Sequence, residues 1–517
     1  INDSTPNDYE LDIQKRSTAT DANMRLYNNA TASTNDTIMR FHIAGTSASN
    51  YIYFGDGDDS NVGQIRYSHS TDVMRFNVAA SERFVINSAG ITVTGEVSAS
   101  QDYPNFRPTL DFNFAAEKAL DPRITYSRQG PASFTDEFGK VVLVGGNAPR
   151  FDHDPATRES KGLLIEESRT NQWLYSEDLV TYVTGGNLQQ STLADTTATT
   201  DPTGGTNAVK MAATATGGGH SFYKNFISGS NGDTHTASVW VKGAEVDYAR
   251  IYVDTVGGNM GGPGVTFSTG NTWNISASGN ATQVATSVVK YPNGWWRLSV
   301  SGSFSSQNEH YVHVDIEGGE GDVSYTGNGS NGMYVWGVQF EAGAFPTSYI
   351  PTNGSTATRG GDFVSIEGDD HTDFWNTTEG TYLINYEPLE RAIGDGVIIG
   401  SKRGSQGSGY PWPLYRHNTA NSNSFKSYDN DNSIVVMGSA WADQRESWAL
   451  GFNGTNGSIV RNGTQLITNN TNMTGLINAN ELWLGSSGTG SLYSMHVRRF
   501  MYYAKRIADS QLITLTS

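Results

Sequence analysis

The chain contains no cysteine among its 517 residues. That absence excludes disulfide bonds, iron–sulfur clusters, cysteine-ligated zinc and thiol nucleophiles. Stability outside a cell must then come from packing and oligomerisation. Basic residues are also scarce, with 34 Lys and Arg against 52 Asp and Glu and a formal net charge of −18. Because phosphate binding needs clustered Lys and Arg, we expect no nucleic acid and no anionic membrane surface as partner.

Long apolar runs are missing as well. No stretch of about eighteen apolar residues and no signal-peptide pattern occurs, so we expect no membrane insertion. The chain instead has 58 Gly, 11% aromatic residues and 17% charged residues, with many Thr, Ser and Asn. This composition is typical of a β-built protein that is secreted or carried on a particle, and the length indicates about three domains.

The first part of the chain repeats a short pattern. The segments MRLYNNA, MRFHIAG and MRFNVAA begin at Met24, Met39 and Met74. In the last of them apolar and polar residues alternate, which is the period of a half-buried strand. Hairpins this short cannot form a closed hydrophobic core alone, and further copies of the same chain are the simplest way to cover their apolar faces. We therefore predict a trimeric β shaft over residues 1–102, with an ordinary β-domain as the alternative.

Residues 103–171 carry the most specific signal in the chain. The runs DPRIT at 121–125, NAPRFDHDP at 147–155 and GLLIEESRTN at 162–171 occur there in that order. This segment closely resembles the connector found in many bacteriophage tail-fibre and head-fibre proteins. The resemblance implies that the chain is a virion protein, displayed on the outside of the particle.

The charged residues of this connector also have an interpretation of their own. Arg158, Glu166, Glu167 and Arg169 are placed to form ion pairs across strands or between chains. The Asp-His-Asp sequence at 152–154 precedes a proline. It is more typical of a hydrogen-bonded turn than of a metal or acid–base site, because a metal site needs further ligands that the neighbouring sequence does not offer.

Residues 172–358 contain many short strand-like runs separated by Gly and Asn turns, which predicts a two-sheet sandwich of jelly-roll type. The closing run YVWGVQFEAG resembles the end of a carbohydrate-binding-module-type sandwich in the same fibre family. His310 and His313 are three residues apart, so on an extended strand they point to opposite faces and cannot share a metal. Of the adjacent Trp295 and Trp296, we expect one in the core and one exposed or in a subunit contact.

Residues 359–517 resemble the laminin G-like and concanavalin A-like lectin sandwiches. The resemblance rests on the runs at 448–452, 458–463, 482–485 and 495–512. The second of these runs contains Asn-Gly, which tolerates the positive φ angles of a tight hairpin. This fold hosts sugar binders, glycosidases and structural modules. No pair of glutamates with the spacing of the catalytic relatives occurs on a strand of this domain, so we expect no enzyme.

The sequence GSGYPWPLYRHN in this last domain combines aromatic residues with planar hydrogen-bonding groups in what the pattern predicts to be a loop stiffened by proline. Stiff aromatic loops bind at low ordering cost, and sugar rings stack on Trp or Tyr. Two interpretations stay open, a sugar site or a plug at the sandwich edge or subunit contact. The candidate sugar-binding residues are Tyr410, Trp412, Tyr415, Arg416, His417 and Asn418, with Trp441 as a weaker addition.

A single metal site comes into consideration. Asp369, Asp370 and Asp373 lie in the acidic run EGDDHTD. Carboxylate oxygens are the ligands that calcium prefers, although such runs more often solvate a turn. Calcium bound here is thus one alternative, and the other is that the protein needs no cofactor.

Together these observations predict an all-β protein with an elongated trimeric β shaft followed by two β-sandwich domains. We expect a non-enzymatic virion fibre or spike protein that adheres to polysaccharide on a host surface. A homotrimer would raise the effective concentration of weak sugar sites. We also expect it to attach to other virion structural proteins through a segment preceding Ile1. The alternatives are a polysaccharide depolymerase whose carboxylate pair lies between subunits, and a structural decoration without ligand.

Overall fold

The structure is a computed structural model that describes residues 41, 46–56, 58–88, 90–93, 107–183, 187–227, 230–306, 309–389, 396–402, 412–419, 422–429, 432–438, 444–454, 456–471, 479–486 and 493–517. Within these ranges the chain is antiparallel sheet with a few short helices, which confirms the predicted all-β sandwich fold. Contacts divide the chain into two compact units, Ile1–Gln101 and Asp102–Ser517. No helix in the described ranges has both the length and the apolar character needed to cross a membrane.

The described part of the first unit is one sheet of five strands that follow one another in chain order. The strands are β1 (Ser49–Phe54), β2 (Gly63–Ser68), β3 (Val73–Val78), β4 (Ser81–Asn87) and β5 (Gly90–Val93). The repeat that begins at Met74 forms β3, so its alternation was interpreted correctly as a strand. The repeats at Met24 and Met39 lie outside the described residues.

One face of this five-stranded sheet is almost entirely apolar. The strand register places Ile52, Ile65, Phe76, Phe84 and Val93 side by side in one row across the five strands. The rows on either side complete what we call the apolar face: Ile52, Phe54, Ile65, Tyr67, Met74, Phe76, Val78, Phe84, Ile86, Ile91 and Val93. Several of these side chains are largely exposed, with 57% for Phe54, 60% for Val78 and 66% for Ile91.

The second unit begins with the strands of the predicted connector. They are β6 (Leu110–Phe112), β7 (Thr125–Ser127), β8 (Ala132–Thr135), β9 (Val141–Val144), β10 (Phe151–His153), β11 (Ser160–Ile165) and β12 (Arg169–Asn171). They do not form a separate linker. Both β6 and β11 pair with the strand Met495–Tyr503, and β7 pairs with the strand Phe363–Glu367. The connector is thus built into the C-terminal sandwich and supplies Leu110, Leu163 and Ile165 to its core.

The middle of the chain forms a sandwich of two antiparallel sheets. Its strands are β13 (Leu188–Gln189), β14 (Ser191–Asp195), β15 (Val209–Ala213), β16 (Gly217–Gly218), β17 (His220–Ile227), β18 (His235–Gly243), β19 (Tyr248–Thr255), β20 (Gly258–Asn259), β21 (Gly262–Thr266), β22 (Thr272–Ile275), β23 (Ser278–Gly279), β24 (Ala281–Lys290), β25 (Trp295–Phe304), β26 (Glu309–Glu317), β27 (Tyr325–Thr326) and β28 (Gly332–Ala342). Helix α1 (Leu179–Val183) precedes them, and a 3-10 turn spans Pro292–Gly294. An eight-stranded sheet that contains β13-β17-β26-β19 faces a six-stranded sheet of order β14-β15-β28-β18-β25-β24.

The C-terminal part of the chain forms a second sandwich. Its strands are β29 (Ala357–Arg359), β30 (Phe363–Glu367), β31 (Glu379–Pro388), β32 (Gly396–Lys402), β33 (Trp412–Thr419), β34 (Ser422–Asp429), β35 (Asn432–Gly438), β36 (Glu446–Asn453), β37 (Asn456–Arg461), β38 (Thr464–Thr471), β39 (Glu481–Leu484) and β40 (Met495–Tyr503), with helices α2 (Gly368–Thr372) and α3 (Asp509–Thr516). The predicted Asn-Gly hairpin is confirmed. It joins β37 to β38, and Asn462 and Gly463 both have positive φ, 45° and 70°.

Both tryptophans of the adjacent pair are buried, so the prediction that one is exposed or at a subunit contact is wrong. Trp296 is 8% exposed and belongs to the main core of the first sandwich. Trp295 points the other way and is 1% exposed, because the six-stranded sheet carries a second apolar cluster on its outer face. There Trp295 packs with Trp240, Trp336 and Tyr349, and the cluster includes Val141 from the connector.

A buried ion cluster ties the connector to the start of the C-terminal sandwich. It consists of Arg128, Arg150, Glu166, Arg359 and Asp362, all of whose side chains are at most 1% exposed. Arg150 donates to Glu166 at 2.6 Å and to Asp362 at 2.5 Å, and Arg359 lies 3.1 Å from Glu166. Glu166 thus joins an ion-pair network as predicted, although its partners are not those that the sequence suggested.

The Asp-His-Asp sequence of the connector was expected to form a turn, but Asp152 and His153 lie on strand β10 and only Asp154 begins the hydrogen-bonded turn that follows the strand. The Asp152 carboxylate accepts from the Thr135 backbone N–H at 2.6 Å and lies 2.8 Å from His496 Nε2. Asp154 accepts from the Ala156 backbone N–H at 2.9 Å. These carboxylates therefore fasten the connector strands to each other and to β40.

Candidate functional site

The most distinctive polar surface lies on the outer side of the eight-stranded sheet. Strand β26 runs between β17 and β19 and turns Val312, Val314 and Ile316 into the core. Since side chains alternate along a strand, the intervening residues of β26 and their register partners point outward. We call the resulting surface the tyrosine–histidine face; its members are Tyr223, Tyr248, Arg250, Tyr252, Asp254, Tyr311, His313, Asp315 and Glu317.

Three aromatic rings form a row across the centre of this face. Tyr223, His313 and Tyr252 are direct register partners on β17, β26 and β19. The His313 ring is stacked 5.0 Å from Tyr223 and 4.4 Å from Tyr252, centroid to centroid. The ring planes are nearly parallel and the rings follow one another across the strands, so each ring stands upright on the sheet. They therefore present their edges outward, and with them the tyrosine hydroxyls.

An arginine and two carboxylates lie in the adjoining rows. Arg250 contacts Asp315 at 3.2 Å and Glu317 at 2.8 Å, and its guanidinium lies 4.4 Å above the Tyr252 ring. Burial raises the pKa of Asp315 to about 6 and that of Glu317 to about 7, and the nearby Arg250 only partly opposes this. Both carboxyls can therefore hold a proton close to neutral pH.

A tryptophan borders this charged group. Arg250, Gly264 and Trp273 are register partners on β19, β21 and β22. The half-buried indole lies directly over Gly264, where a Cβ atom would come within 2.3 Å of Trp273 Cε2. Glycine is thus required here for the close approach of the ring. Tyr248 packs against the same indole at 6.0 Å, so a second aromatic pair flanks Arg250.

Several buried polar atoms of this face have no hydrogen-bond partner within the described part of the chain. They are Asp315 Oδ1, His313 Nδ1 and Trp273 Nε1. Asp315 is 6% exposed and His313 is 9% exposed. An unsatisfied buried donor or acceptor costs about 1–3 kcal/mol. Because these atoms have almost no accessible surface, they are not contact points for a sugar that rests on the face.

The arrangement combines what sugar recognition requires. The Trp273 indole presents apolar surface to CH groups, and the tyrosine hydroxyls together with Arg, Asp and Glu supply donors and acceptors for sugar hydroxyls. Among the described residues His313 belongs to no group that could hold a metal ion. His310 lies on the opposite side of β26, where it packs against Phe304 and Phe340, which confirms the predicted opposition of the two histidines.

The sugar-binding residues predicted from the sequence are placed elsewhere. Tyr410 and Trp441 lie outside the described residues. Trp412, Arg416, His417 and Asn418 lie on β33, which pairs with β32 and β34 inside a seven-stranded sheet. The predicted loop is therefore a strand, because this segment satisfies its backbone groups by pairing on both sides. Tyr415 is 8% exposed and pairs with the fully buried Val397, so it belongs to the sheet interior rather than to an open loop.

The three aspartates considered as calcium ligands lie on and beside a short helix. The acidic run was expected in a loop, but Asp369 and Asp370 lie in the short helix α2, and Asp373 follows it. All three are exposed. Among the described residues no group of three or more His, Cys, Asp or Glu could hold a metal ion.

The sequence did contain a signal for the tyrosine–histidine face. In HYVHVDIE the apolar residues alternate with Tyr311, His313, Asp315 and Glu317, and YARIYVD alternates in the same way. Such alternation marks a strand with one polar face. The sequence does not reveal that the two strands are neighbours, since six other strands, β20 to β25, lie between β19 and β26 along the chain.

A surface cavity of about 190 Å³ lies apart from this face, where the connector meets the first sandwich. It is lined by Phe138, Lys140, Pro202 and Asn293, among others, and Phe138 is 67% exposed. Asp201 at its edge is engaged by the backbone N–H groups of Thr203 and Gly205. The Asp201 carboxylate is therefore already occupied by its own loop.

No family model and no curated protein matches the chain. Among solved structures, similarity was found to the carbohydrate-binding module CBM40 of the Ruminococcus gnavus IT-sialidase bound to α2,3-sialyllactose, with 17% identity, a TM-score of 0.25, and coverage of 29% of this chain and 88% of that one. The Trypanosoma rangeli sialidase is similar at 14% identity and a TM-score of 0.25, with 47% and 46% of the two chains covered.

The NanB sialidase from Streptococcus pneumoniae is similar at 12% identity and a TM-score of 0.24, and the chain covers 26% of its length. All three similarities have low TM-scores, so they do not assign a function or a family. The candidate site therefore rests on the geometry of the jelly-roll sheet itself.

Proposed function

We propose that this protein is a non-enzymatic fibre or spike protein of a bacteriophage particle that adheres to glycans on the host surface through the tyrosine–histidine face. The observation that carries the sugar-binding part is the row of Tyr223, His313 and Tyr252 beside Arg250 and its two carboxylates, all on the outward side of one sheet. The location on a virion is supported by the resemblance of residues 103–171 to phage-fibre connectors.

A purely structural role does not account for this arrangement well. Removing charged groups from water costs several kcal/mol per ion, and a buried ion pair often stabilises no more than apolar residues of the same volume. Here the charges lie on the outer face of a sheet whose core is already complete on its other side. Ligand binding is the simplest explanation for charged groups that are partly buried on the outer face of this sheet.

The apolar face of the first unit supports the homotrimeric shaft within the same proposal. A sheet of five strands with one apolar side needs a cover, because apolar area left in water forfeits about 25 cal/mol per Å². Two further copies of the chain would provide that cover and place three sugar sites on one fibre. Native mass spectrometry of the purified full chain tests this part; we expect three chains, and a monomer at micromolar concentration would refute the shaft.

The adhesion test uses polysaccharide purified from the envelope of candidate host bacteria. Retained protein is measured for the wild type, for Tyr252→Ala and for Phe138→Ala, which removes an exposed aromatic ring from the separate surface cavity. We expect Tyr252→Ala to lower retention at least about tenfold, a loss of about 1.4 kcal/mol per site, and Phe138→Ala to bind as the wild type does. If instead Phe138→Ala lowers retention and Tyr252→Ala does not, the sugar site lies at the surface cavity that Phe138 lines.

A second function is favoured by one specific observation. Asp315 and Glu317 are two carboxyls on one strand, two residues apart, with raised pKa values. Glycosidases use such pairs, with the raised pKa on the general acid. Newly released reducing ends are therefore measured in the same tubes. Retention without new ends supports the adhesin, whereas a steady rise that Glu317→Gln abolishes would make the protein a depolymerase.

A further inference from the structure

The five-stranded sheet of the first unit has a polar face opposite its apolar face. Since side chains alternate along a strand, the residues between those of the apolar face point to the other side of the sheet. The register places Tyr51, Arg66 and Arg75 in one row there, and Tyr53 and Glu82 in the next row. We call these five residues the tyrosine–arginine face. Tyr51 is 37% exposed and Tyr53 is 51% exposed, so both rings reach solvent.

Arg66 is held in place on this face but has no counter-ion among the described residues. Its Nε donates to the Ser49 hydroxyl at 3.2 Å, and its guanidinium lies 5.4 Å from the centre of the Tyr51 ring. Tyr51 stacks in turn on Tyr53, with ring centroids 5.2 Å apart. Neither terminal nitrogen of this partly exposed arginine donates to another described residue. The planar fork of N–H groups is therefore positioned by its neighbours and left for a ligand.

A second arginine makes the face positive. Arg75 is the direct cross-strand partner of Arg66 and pairs with Glu82 at 2.8 Å. Because one carboxylate serves two guanidinium groups, the tyrosine–arginine face carries a net positive charge. The acidic loop between β1 and β2 lies beyond the end of these strands, where Asp56 accepts two backbone N–H groups of its own loop at 3.0 Å. Arg66 is three residues, about 10 Å, along β2 from that end of the sheet.

These features favour a ligand that has a planar negative group on a ring with CH surface. A carboxylate accepts two parallel hydrogen bonds from one guanidinium, and an arginine that is already held in place loses little entropy on binding. The Tyr53 ring offers apolar surface to CH groups. Long-range attraction does not help an anion, because the chain as a whole has a formal charge of −18. Charges more than about 8 Å away are largely screened at physiological salt, so the local groups decide.

We propose that the tyrosine–arginine face binds glycans that contain uronic acids, with the carboxylate on Arg66 and the sugar ring beside Tyr53. This site is separate from the tyrosine–histidine face and does not depend on it. In the shaft proposed above, the apolar face turns towards the other copies and the tyrosine–arginine face stays on the outside. A monomer would expose the face equally, so the site does not depend on the trimer either.

The test measures binding to the full chain by calorimetry at pH 7 and about 0.15 M salt. The probes are a hexamer of galacturonic acid, the same hexamer with every carboxylate methyl-esterified, and linear polyphosphate of similar charge. We expect the acidic hexamer to bind at least about tenfold more tightly than the ester and more tightly than polyphosphate. Equal binding of acid and ester, or binding of neither, would overturn the proposal. Tighter binding of polyphosphate would overturn it too, since that order indicates attraction to any polyanion.

Matched variants test the assignment to this face. Arg66→Gln removes the charge and the planar fork, whereas Arg445→Gln removes an exposed arginine of the C-terminal sandwich that pairs with Glu159 at 2.6 Å. We expect Arg66→Gln to abolish the preference for acid over ester and Arg445→Gln to preserve it. Tyr53→Ala changes a half-exposed ring and leaves Arg66 in place, so it should weaken binding of the acidic hexamer without unfolding the sheet, which circular dichroism checks. A preference that survives Arg66→Gln, or affinity that Tyr53→Ala leaves unchanged, refutes the site.

Discussion

Glu166→Gln tests whether the buried ion cluster holds the connector to the C-terminal sandwich. Glu166 is 1% exposed and accepts hydrogen bonds from Arg150, from the Ser348 backbone N–H at 2.8 Å and from the Ser348 hydroxyl at 2.6 Å. Arg359 completes its surroundings at 3.1 Å. The substitution keeps the shape of the side chain and removes its negative charge.

The magnitude follows from the charges that remain. With Glu166 neutral, the three guanidinium groups of the buried ion cluster face Asp362 as its one remaining carboxylate. Removing one partner of a buried ion pair costs about 3–5 kcal/mol, because it leaves an uncompensated buried charge. Glu159 provides a matched control, since it also contacts two arginines, Arg445 at 2.6 Å and Arg498 at 3.1 Å, but is 52% exposed. For Glu159→Gln we expect a loss of about 0–1 kcal/mol.

The pH dependence of the same variant gives a second signature. Burial alone would raise the pKa of Glu166, but Arg359, Arg150 and Ser348 outweigh it and hold the pKa well below its ordinary value of 4.5. A lowered carboxyl pKa contributes stability that is present above pH 4.5 and is lost as the pH falls through the folded-state pKa. Glu166→Gln should therefore show a smaller loss of stability below pH 4.5 than the wild type.

The assay is urea unfolding of the wild type and both variants at pH 7 and in a series down to pH 3, followed by tryptophan fluorescence. A Glu166→Gln variant that unfolds within error of Glu159→Gln would refute the view that this cluster is a stabilising, fully desolvated network.

Three further predictions concern the first sandwich. Burial, with a smaller contribution from His235, lowers the pKa of His310 from 6.5 to about 4. The unfolded chain therefore takes up a proton at this residue before the folded chain does, and the free energy of unfolding falls as the pH is lowered from 6.5 towards 4. His310→Phe should remove up to about 3 kcal/mol of this fall, and an unchanged pH profile in calorimetry would contradict the prediction. Trp295→Ala should cost about 3–5 kcal/mol of unfolding free energy, because the 1% exposed ring packs in a cluster and donates to Thr200 O at 2.9 Å; a loss below about 0.5 kcal/mol would show that the ring is exposed. Gly264→Ala should displace the Trp273 indole, which a shifted Trp emission spectrum would reveal, while an unchanged spectrum would show that the ring does not lie over this glycine.

Local patterns in the sequence predicted local structure well. The alternation at Met74 gave a strand, the Asn-Gly pair gave a hairpin, and the spacing of His310 and His313 gave opposite faces. Each of these depends on backbone geometry over a few residues, which the amino-acid order specifies directly. The alternation of apolar and polar residues likewise indicates which residues of β26 lie on its polar face.

The candidate site itself depends on which strands become neighbours, and that information is not local. Tyr223 and Tyr252 reach His313 because β17 and β19 both pair with β26. The pairing of the connector strands β6 and β11 is not visible in the local pattern either, because their partner β40 lies more than 300 residues further along the chain. The aromatic segment around Trp412 resembled a loop for a similar reason, since its prolines obscured a strand whose pairing is provided by β32 and β34.

The central claim is that glycans bind on the tyrosine–histidine face. The most direct measurement is a crystal structure of the protein with a retained oligosaccharide bound. The account predicts sugar density over the row of Tyr223, His313 and Tyr252, beside Arg250. Sugar density confined to the cavity at Phe138 or to the sheet that contains Trp412 would contradict it.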